Sequence, residues 1–104
     1  MAYKIIRHPE VERDLINLVD LIAEFAGVAV AERKLNDVEA SLKNLSDTPH
    51  IGSLRHEIYP NLRAIPVAEK GVISFIVDDD QKEVLILAIT YAGADWISRM
   101  SDRT

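Results

Sequence analysis

Two arginines, Arg55 and Arg63, are candidates for binding an anion. Each lies in a short segment whose pattern is typical of a β-strand. Arg55 falls in the segment 53–59 and Arg63 in the segment 62–67. If neighbouring strands place both guanidinium groups on one sheet face, the pair can hold a phosphate or a carboxylate through paired hydrogen bonds. The alternative is an ion pair with Glu57 or another surface carboxylate, which is a common and weak contact. The sequence leaves the anion site and the ion pair both open.

Three further candidates, Tyr91, Asp95 and Trp96, follow the most apolar run of the chain. A tyrosine hydroxyl beside cationic groups can act as an acid or a base. Aromatic side chains just past a central strand also often complete a hydrophobic core. A functional role and a packing role are therefore alternatives for these residues.

The other polar residues predict no catalytic residue, no cofactor and no metal. The histidines His8, His50 and His56 lack the spacing of metal ligands, and the chain has no cysteine. The three aspartates at 78–80 lack the further spaced carboxylates of a calcium loop and are typical of a solvated hairpin turn. Neither a glycine-rich phosphate loop nor a nucleophile elbow is present.

Composition bounds the class of protein. The chain has 104 residues, of which 48% are hydrophobic and 28% charged, as expected for one globular domain spanning 1–104. The longest nearly apolar run, 84–91, is too short to cross a membrane, and the first residues lack a signal core, so we expect a cytoplasmic protein. The net charge of -5 disfavours direct binding of nucleic acid, which depends on Lys and Arg.

Hydrophobic periodicity predicts the elements that must position these groups. Apolar residues recur at helical spacing over 11–25 and again over 31–45. Gly27 separates the two stripes, and so short a connection predicts an antiparallel helical hairpin. Pro49 and Gly52 then end the helical pattern.

The remaining segments read as strands, with one more helical turn at the end. The expected strands cover 3–7, 53–59, 62–67, 72–77 and 84–90, and the helical turn falls in 94–103. Pro66 inside the third strand predicts an edge position or a bulge, and the nearly continuous apolar run of the last strand predicts a central position. The fold is therefore predicted as α+β, in the order β-α-α-β-β-β-β, with the helical hairpin packed on a small antiparallel sheet.

The order and spacing of several segments resemble the ParE/RelE toxin superfamily, and its ParE-like branch in particular. They begin with a short strand, followed by Pro9 and an acidic helix that contains Asp14-Leu15, and they span about residues 3–96. The later segments are 48–55 (TPHIGSLR), 60–63 (PNLR), 72–75 (VISF) and 84–87 (VLIL).

This resemblance implies a toxin of a type II toxin–antitoxin module, a class that includes plasmid stabilisation proteins. ParE-like toxins poison DNA gyrase, whereas RelE-like relatives cleave mRNA on the ribosome with a cluster of basic residues and an Arg or Tyr near the C-terminus. Both are neutralised by an antitoxin, ParD-like or similar, whose C-terminal segment wraps the toxin. The implied assembly is a heteromeric toxin–antitoxin complex in the bacterial cytoplasm.

Departures from the family pattern favour the ParE-like branch. Arg55, Arg63 and Asp95 match family positions, but Ile76 and Ala94 stand where arginines are expected, and Tyr91 falls near an expected histidine. Cleavage of mRNA requires cations to stabilise the charge that develops during phosphoryl transfer. The resemblance therefore implies a protein-binding inhibitor of gyrase rather than an enzyme. The alternatives are a ribosome-dependent endonuclease and a degenerate, non-toxic module that only binds its antitoxin.

Overall fold

A computed structural model describes residues 2–92 together with 97, 100 and 103. A strand and two helices are followed by four strands, which confirms the predicted order. These elements are β1 (Lys4–Arg7), α1 (Val11–Ala26), α2 (Val28–Asn44), β2 (Ser53–Leu54), β3 (Leu62–Val67), β4 (Gly71–Asp78) and β5 (Glu83–Tyr91). Ile97, Met100 and Arg103 are also helical, in agreement with the expected turn near the end of the chain.

The helical hairpin turns on a single residue. Gly27 ends α1 and precedes α2, with φ at +93°, a conformation that side chains with a Cβ rarely adopt. Because one residue serves both ends, α2 begins at Val28, three residues before the first member of the predicted stripe. The buried positions of both helices follow the predicted periodicity, except that Phe25, the last member of the first stripe, is exposed and Asp14 is buried.

The five strands form one sheet in the order β1-β5-β4-β3-β2. The pairs β5–β4, β4–β3 and β3–β2 are antiparallel, but β1 pairs parallel to β5, so the sheet is mixed rather than wholly antiparallel. As predicted, β5 lies inside the sheet. Only Ala64 and Arg63 of β3 pair with β2, so Pro66 lies on an unpaired edge, which satisfies its lack of an N–H donor.

The predicted strand over 53–59 is wrong beyond its second residue. The strand ends at Leu54 and one further ladder bond follows, from the amide of Arg55. The chain then turns, with the amides of Ile58 and Tyr59 donating to the carbonyl of Arg55. The local bonds to Arg55 take the place of strand pairing.

The sheet buries apolar side chains on both faces. The helices cover one face, which we call the helix face, where a large cluster includes Leu15, Leu42, Phe75 and Ile86. The opposite face, which we call the open face, carries a smaller buried cluster of Leu62, Leu87, Ala88 and Met100.

Candidate functional site

Arg63 lies at the start of β3 on the helix face, in register with Leu54 and Phe75. Its guanidinium donates to the carbonyl oxygens of His50 at 3.0 Å and Ile51 at 3.4 Å. The side chain therefore anchors the loop between α2 and β2, and it also lines a groove of about 590 Å³ at this end of the sheet.

Arg55 does not share that face. It follows Leu54, the register partner of Arg63, and its amide continues the ladder by donating to Leu62 at 2.7 Å. Side chains alternate along a strand, so the two arginines point to opposite faces of the sheet. The Nε of Arg55 donates to Glu57 at 2.8 Å, which is the ion pair considered above as the alternative to an anion site.

Tyr91 lies at the far end of the sheet. It pairs with Gly71 of β4. Arg63 instead pairs with Phe75 of β4, which pairs in turn with Ile86 of β5, five residues before Tyr91. One of these five residues is an extra residue at a β-bulge, so the separation equals four residues of β4, or about 13 Å at the rise of a β-strand. Tyr91 packs against the core of the helix face, so Arg55, Arg63 and Tyr91 do not converge on one point. Asp95 and Trp96, like Ala94, lie outside the described residues.

One wall of the groove holds a polar cluster that joins three separate segments. The Oδ1 of Asp79 accepts from the Tyr3 hydroxyl at 2.7 Å and lies 2.7 Å from the His50 Nε2. The Tyr3 and His50 rings meet edge to face, and the Lys82 ammonium lies 5.3 Å from the Tyr3 ring centroid. The hydrogen bond from Tyr3, followed by that of His50, lowers the pKa of the Asp79 carboxyl, and the same carboxylate raises the pKa of Tyr3.

These shifts predict how the cluster depends on pH. A lowered Asp79 pKa contributes stability above the unfolded-state pKa, and this is lost as the pH falls through the folded value. A raised Tyr3 pKa contributes stability that is lost as the pH rises through its own folded value. We expect Asp79→Asn to lower the melting temperature most between about pH 4 and pH 10, where both groups are in the bonded state. Thermal unfolding followed across this range measures the difference.

The matched control is Asp80→Asn in the same turn, because the side chain of Asp80 makes no hydrogen bond within the described part of the chain. A melting-temperature difference for Asp79→Asn that is constant with pH, or equal to that of Asp80→Asn, would contradict the prediction.

The residues most strongly engaged by polar contacts were not predicted. Asp14 is buried in α1, and both of its carboxylate oxygens accept from Arg103, one at 2.8 Å. Its Oδ2 also accepts from the amide of Ile89 at 3.0 Å, and Arg103 donates to the carbonyl of Leu87 at 3.2 Å. The sequence did contain one indication of this contact. Asp14 lies three residues after Val11, on the apolar side of the helix, where a buried carboxylate requires a partner.

This contact completes the hydrogen bonding of β5. The strand β1 pairs with β5 only as far as Ile86, so the following β5 backbone groups on that side need other partners. A register shift between Ser74 and Phe75 leaves Leu87 as an extra residue in β5. Asp14 and Arg103 together bond the amide and the carbonyl that the end of β1 leaves free.

The open face near these residues is apolar where the family resemblance implies cations. Ile76 packs with the buried cluster of this face, as do Ile58 and Tyr59. The hydroxyl of Ser74 is buried there and has no hydrogen-bond partner among the residues that the structure describes. Within the described residues, no group of three or more His, Cys, Asp or Glu is placed to hold a metal. The described helices include none that is long and apolar enough to cross a membrane.

Comparison with known proteins gives one family and one fold. Residues 5–96 match the family of the ParE toxin of the type II toxin–antitoxin system parDE. No curated protein sequence matches the chain.

Three solved structures share the fold at low sequence identity. The chromosomal ParDE system from P. aeruginosa superimposes with a TM-score of 0.73 at 21% identity, covering 88% of this chain and 97% of that one. An E. coli RelE toxin, an arginine-to-alanine double mutant in the free state, gives a TM-score of 0.67 at 18% identity over 99% and 98%. The toxin–antitoxin complex RelBE2 from Mycobacterium tuberculosis gives 0.63 at 18% identity over 88% and 93%.

Proposed function

Because the chain belongs to the ParE toxin family of type II toxin–antitoxin systems, we propose that it stops bacterial growth by binding DNA gyrase. A cognate antitoxin holds it inactive, and both act in the cytoplasm. In this role the toxin is a protein-binding inhibitor with no catalytic residue.

The observation that carries this proposal is the separation of the candidate catalytic groups. A ribonuclease of this fold would need Arg55, Arg63 and Tyr91 around a single phosphate, since developing charge is stabilised only by donors aimed at it. The two arginines lie on opposite faces of the sheet, and Tyr91 is about 13 Å along the sheet from Arg63 and its strand partners. A protein target, in contrast, can be bound at several separated points.

The net charge and the open face also favour a protein target over a ribosomal one. A ribosome is densely anionic, and a chain of net charge -5 gains no general attraction to it. On the open face, Ile76 contributes a hydrocarbon side chain to an apolar cluster. The half-buried Ile76 therefore presents a hydrocarbon side chain where a cation would be needed to attract a phosphate backbone.

We assign the target contacts to the residues that the sequence singled out: Arg55, Arg63, Tyr91, Asp95 and Trp96. Among these residues Arg63 has the strongest support, because its side chain is half-buried on the wall of the groove of about 590 Å³. Its loop contacts use Nη1, and in the described part of the chain its Nη2 and Nε donate to no other group.

The test compares gyrase and ribosome directly. The purified chain is added to gyrase with relaxed plasmid DNA and, separately, to a bacterial translation extract with a defined mRNA. We expect loss of supercoiling and accumulation of cleaved plasmid, with no codon-specific cleavage of the mRNA. Addition of the antitoxin, taken from the neighbouring reading frame, should restore supercoiling.

Each of the other outcomes identifies an alternative. Codon-specific mRNA cleavage with unaffected supercoiling would establish the RelE-like endonuclease. Antitoxin binding without either activity, and without growth arrest on expression, would establish a degenerate module.

A further inference from the structure

The end of the helical hairpin where α1 turns into α2 is apolar and exposed. Five consecutive residues, 25–29 (FAGVA), are exposed, and we call this segment the hairpin tip. Phe25 is 81% exposed and Val28 is 66% exposed. Neither belongs to an apolar cluster of the described residues, so the fold gains no packing from them. A continuous run of exposed apolar residues is typical of a surface that another molecule covers.

The hairpin tip extends past one end of the sheet. Leu21 of α1 lines a pocket together with Tyr91, the last residue of β5. Phe25 lies one turn further along α1, about 6 Å beyond Leu21. Lys34 of α2 pairs at 2.9 Å with Glu69, in the turn that joins β3 to β4 at the same end of the sheet. The tip lies beyond both contacts and can therefore enter a concave surface of a partner.

The charged residues nearest to the tip indicate the chemistry of that partner. Glu24 precedes the tip and Glu32 follows it, with no charged residue between them. Both are exposed, and neither forms an ion pair among the described residues. The nearest cation, Arg33, comes only after Glu32. Insertion into an anionic lipid surface is therefore disfavoured, because such a surface attracts Lys and Arg and repels carboxylates.

A protein pocket with a basic rim fits these features. An aromatic ring that enters an apolar pocket contributes strongly to binding, and carboxylates around it are complementary to Lys and Arg on the rim. An enzyme that holds DNA must present such cations on its surface, since they neutralise the phosphates.

We propose that the hairpin tip inserts into an apolar pocket of DNA gyrase. The Phe25 ring and the Val28 side chain enter the pocket, while Glu24 and Glu32 face basic residues on its rim. Tyr91, already assigned to the target contacts, lies at the same end of the sheet, so one partner can reach both. The choice of gyrase as the partner rests on the proposed function.

Phe25→Ala tests this contact without disturbing the fold. Because the ring is exposed, the variant should unfold at nearly the wild-type temperature. The concentration that halves gyrase supercoiling should rise about thirtyfold, as expected when an aromatic residue that anchors an interface is truncated. Phe25→Leu keeps an apolar side chain and should recover most of the inhibition. The matched control is Ile16→Ala, an exposed apolar position nine residues away on the same helix, which should inhibit like the wild type.

A fluorescent label reports the contact independently. The chain has no cysteine, so Ala29→Cys takes up a single environment-sensitive dye at the tip. Ala40→Cys places the same dye at an exposed position of the same helix, eleven residues away. Purified gyrase should shift the emission of the tip label to shorter wavelength and leave that of the control unchanged. Added salt should weaken the binding, because it screens the attraction of the two glutamates.

Wild-type potency of Phe25→Ala, or an emission shift no larger at position 29 than at position 40, would overturn the proposal. A shift of the tip label caused by phosphatidylglycerol vesicles without gyrase would replace it with a membrane contact. A shift that grows with the concentration of the chain alone would replace it with a contact between two copies. If the wild-type chain leaves gyrase active, the proposed function fails together with this contact, whereas inhibition that survives Phe25→Ala removes the contact alone.

Discussion

Replacing Asp14 with alanine is expected to lower the free energy of unfolding by about 3–5 kcal/mol, the range for breaking a buried ion pair. The change removes the carboxylate that Arg103 bonds through two oxygens and leaves that guanidinium largely buried. It also leaves the amide of Ile89 without its acceptor. This amide is buried in β5, where water cannot replace the lost carboxylate. Equilibrium denaturation with urea measures the loss.

Asp14→Asn provides the informative comparison. Its amide oxygen can still accept from Ile89, but the charge that pairs with Arg103 is gone, so the loss of stability should be smaller than for alanine. Asp20→Ala, an exposed change on the same helix, should alter stability by no more than about 0.5 kcal/mol. A loss below about 1 kcal/mol for Asp14→Ala would show that the buried contact is not needed for stability.

Replacing Gly52 with alanine is the second large expected effect, with a loss of about 2–5 kcal/mol from two sources. Gly52 has φ at +83°, a left-handed conformation that costs free energy in any residue with a Cβ. An added Cβ would also lie 2.6 Å from the backbone oxygen of Ala64 and 2.4 Å from the Ile65 side chain. The Ala64 oxygen belongs to β3 and cannot move without disturbing the β2–β3 pairing.

Gly27→Ala isolates the steric part of this effect. Gly27 also has a positive φ, at +93°, but no atom of the other described residues beyond its chain neighbours lies within 4 Å of an added Cβ. Both variants lose the conformational freedom of glycine, so the additional loss at Gly52 should be about 1–3 kcal/mol and should come from the clash. Equal melting temperatures for the two variants would mean that the loop before β2 moves away without cost.

Several parts of the fold could be read from short stretches of sequence. The hairpin of α1 and α2 follows from apolar spacing and Gly27, since helical bonds join residues four apart. The turn at 78–80 follows from aspartate chemistry, and the Asp78 carboxylate does accept the amides of Asp80 and Gln81. The short extent of β2 could not be read in this way, because a strand exists only where a partner strand pairs with it.

The placement of the candidate site residues could not be predicted from short stretches of sequence. Arg55 and Arg63 were placed in adjacent segments, but a shift of one residue in register moves a side chain to the other face of a sheet. The placement of Tyr91 at the far end of the sheet depends on the pairing of β4 with β5. The Tyr3–Asp79 contact joins residues 76 apart, and the Asp14–Arg103 contact joins residues 89 apart.

The sequence by itself determined the order of the elements, the helical hairpin, the central place of the last strand and, through the resemblance of its segments, the toxin family. Only the tertiary structure decided which charged groups meet, which stay apart, and which helix faces remain uncovered. The physical reason is range: periodicity and turn chemistry are properties of neighbouring residues, whereas strand register, ion pairing and the shape of a groove are set by residues that only folding brings together.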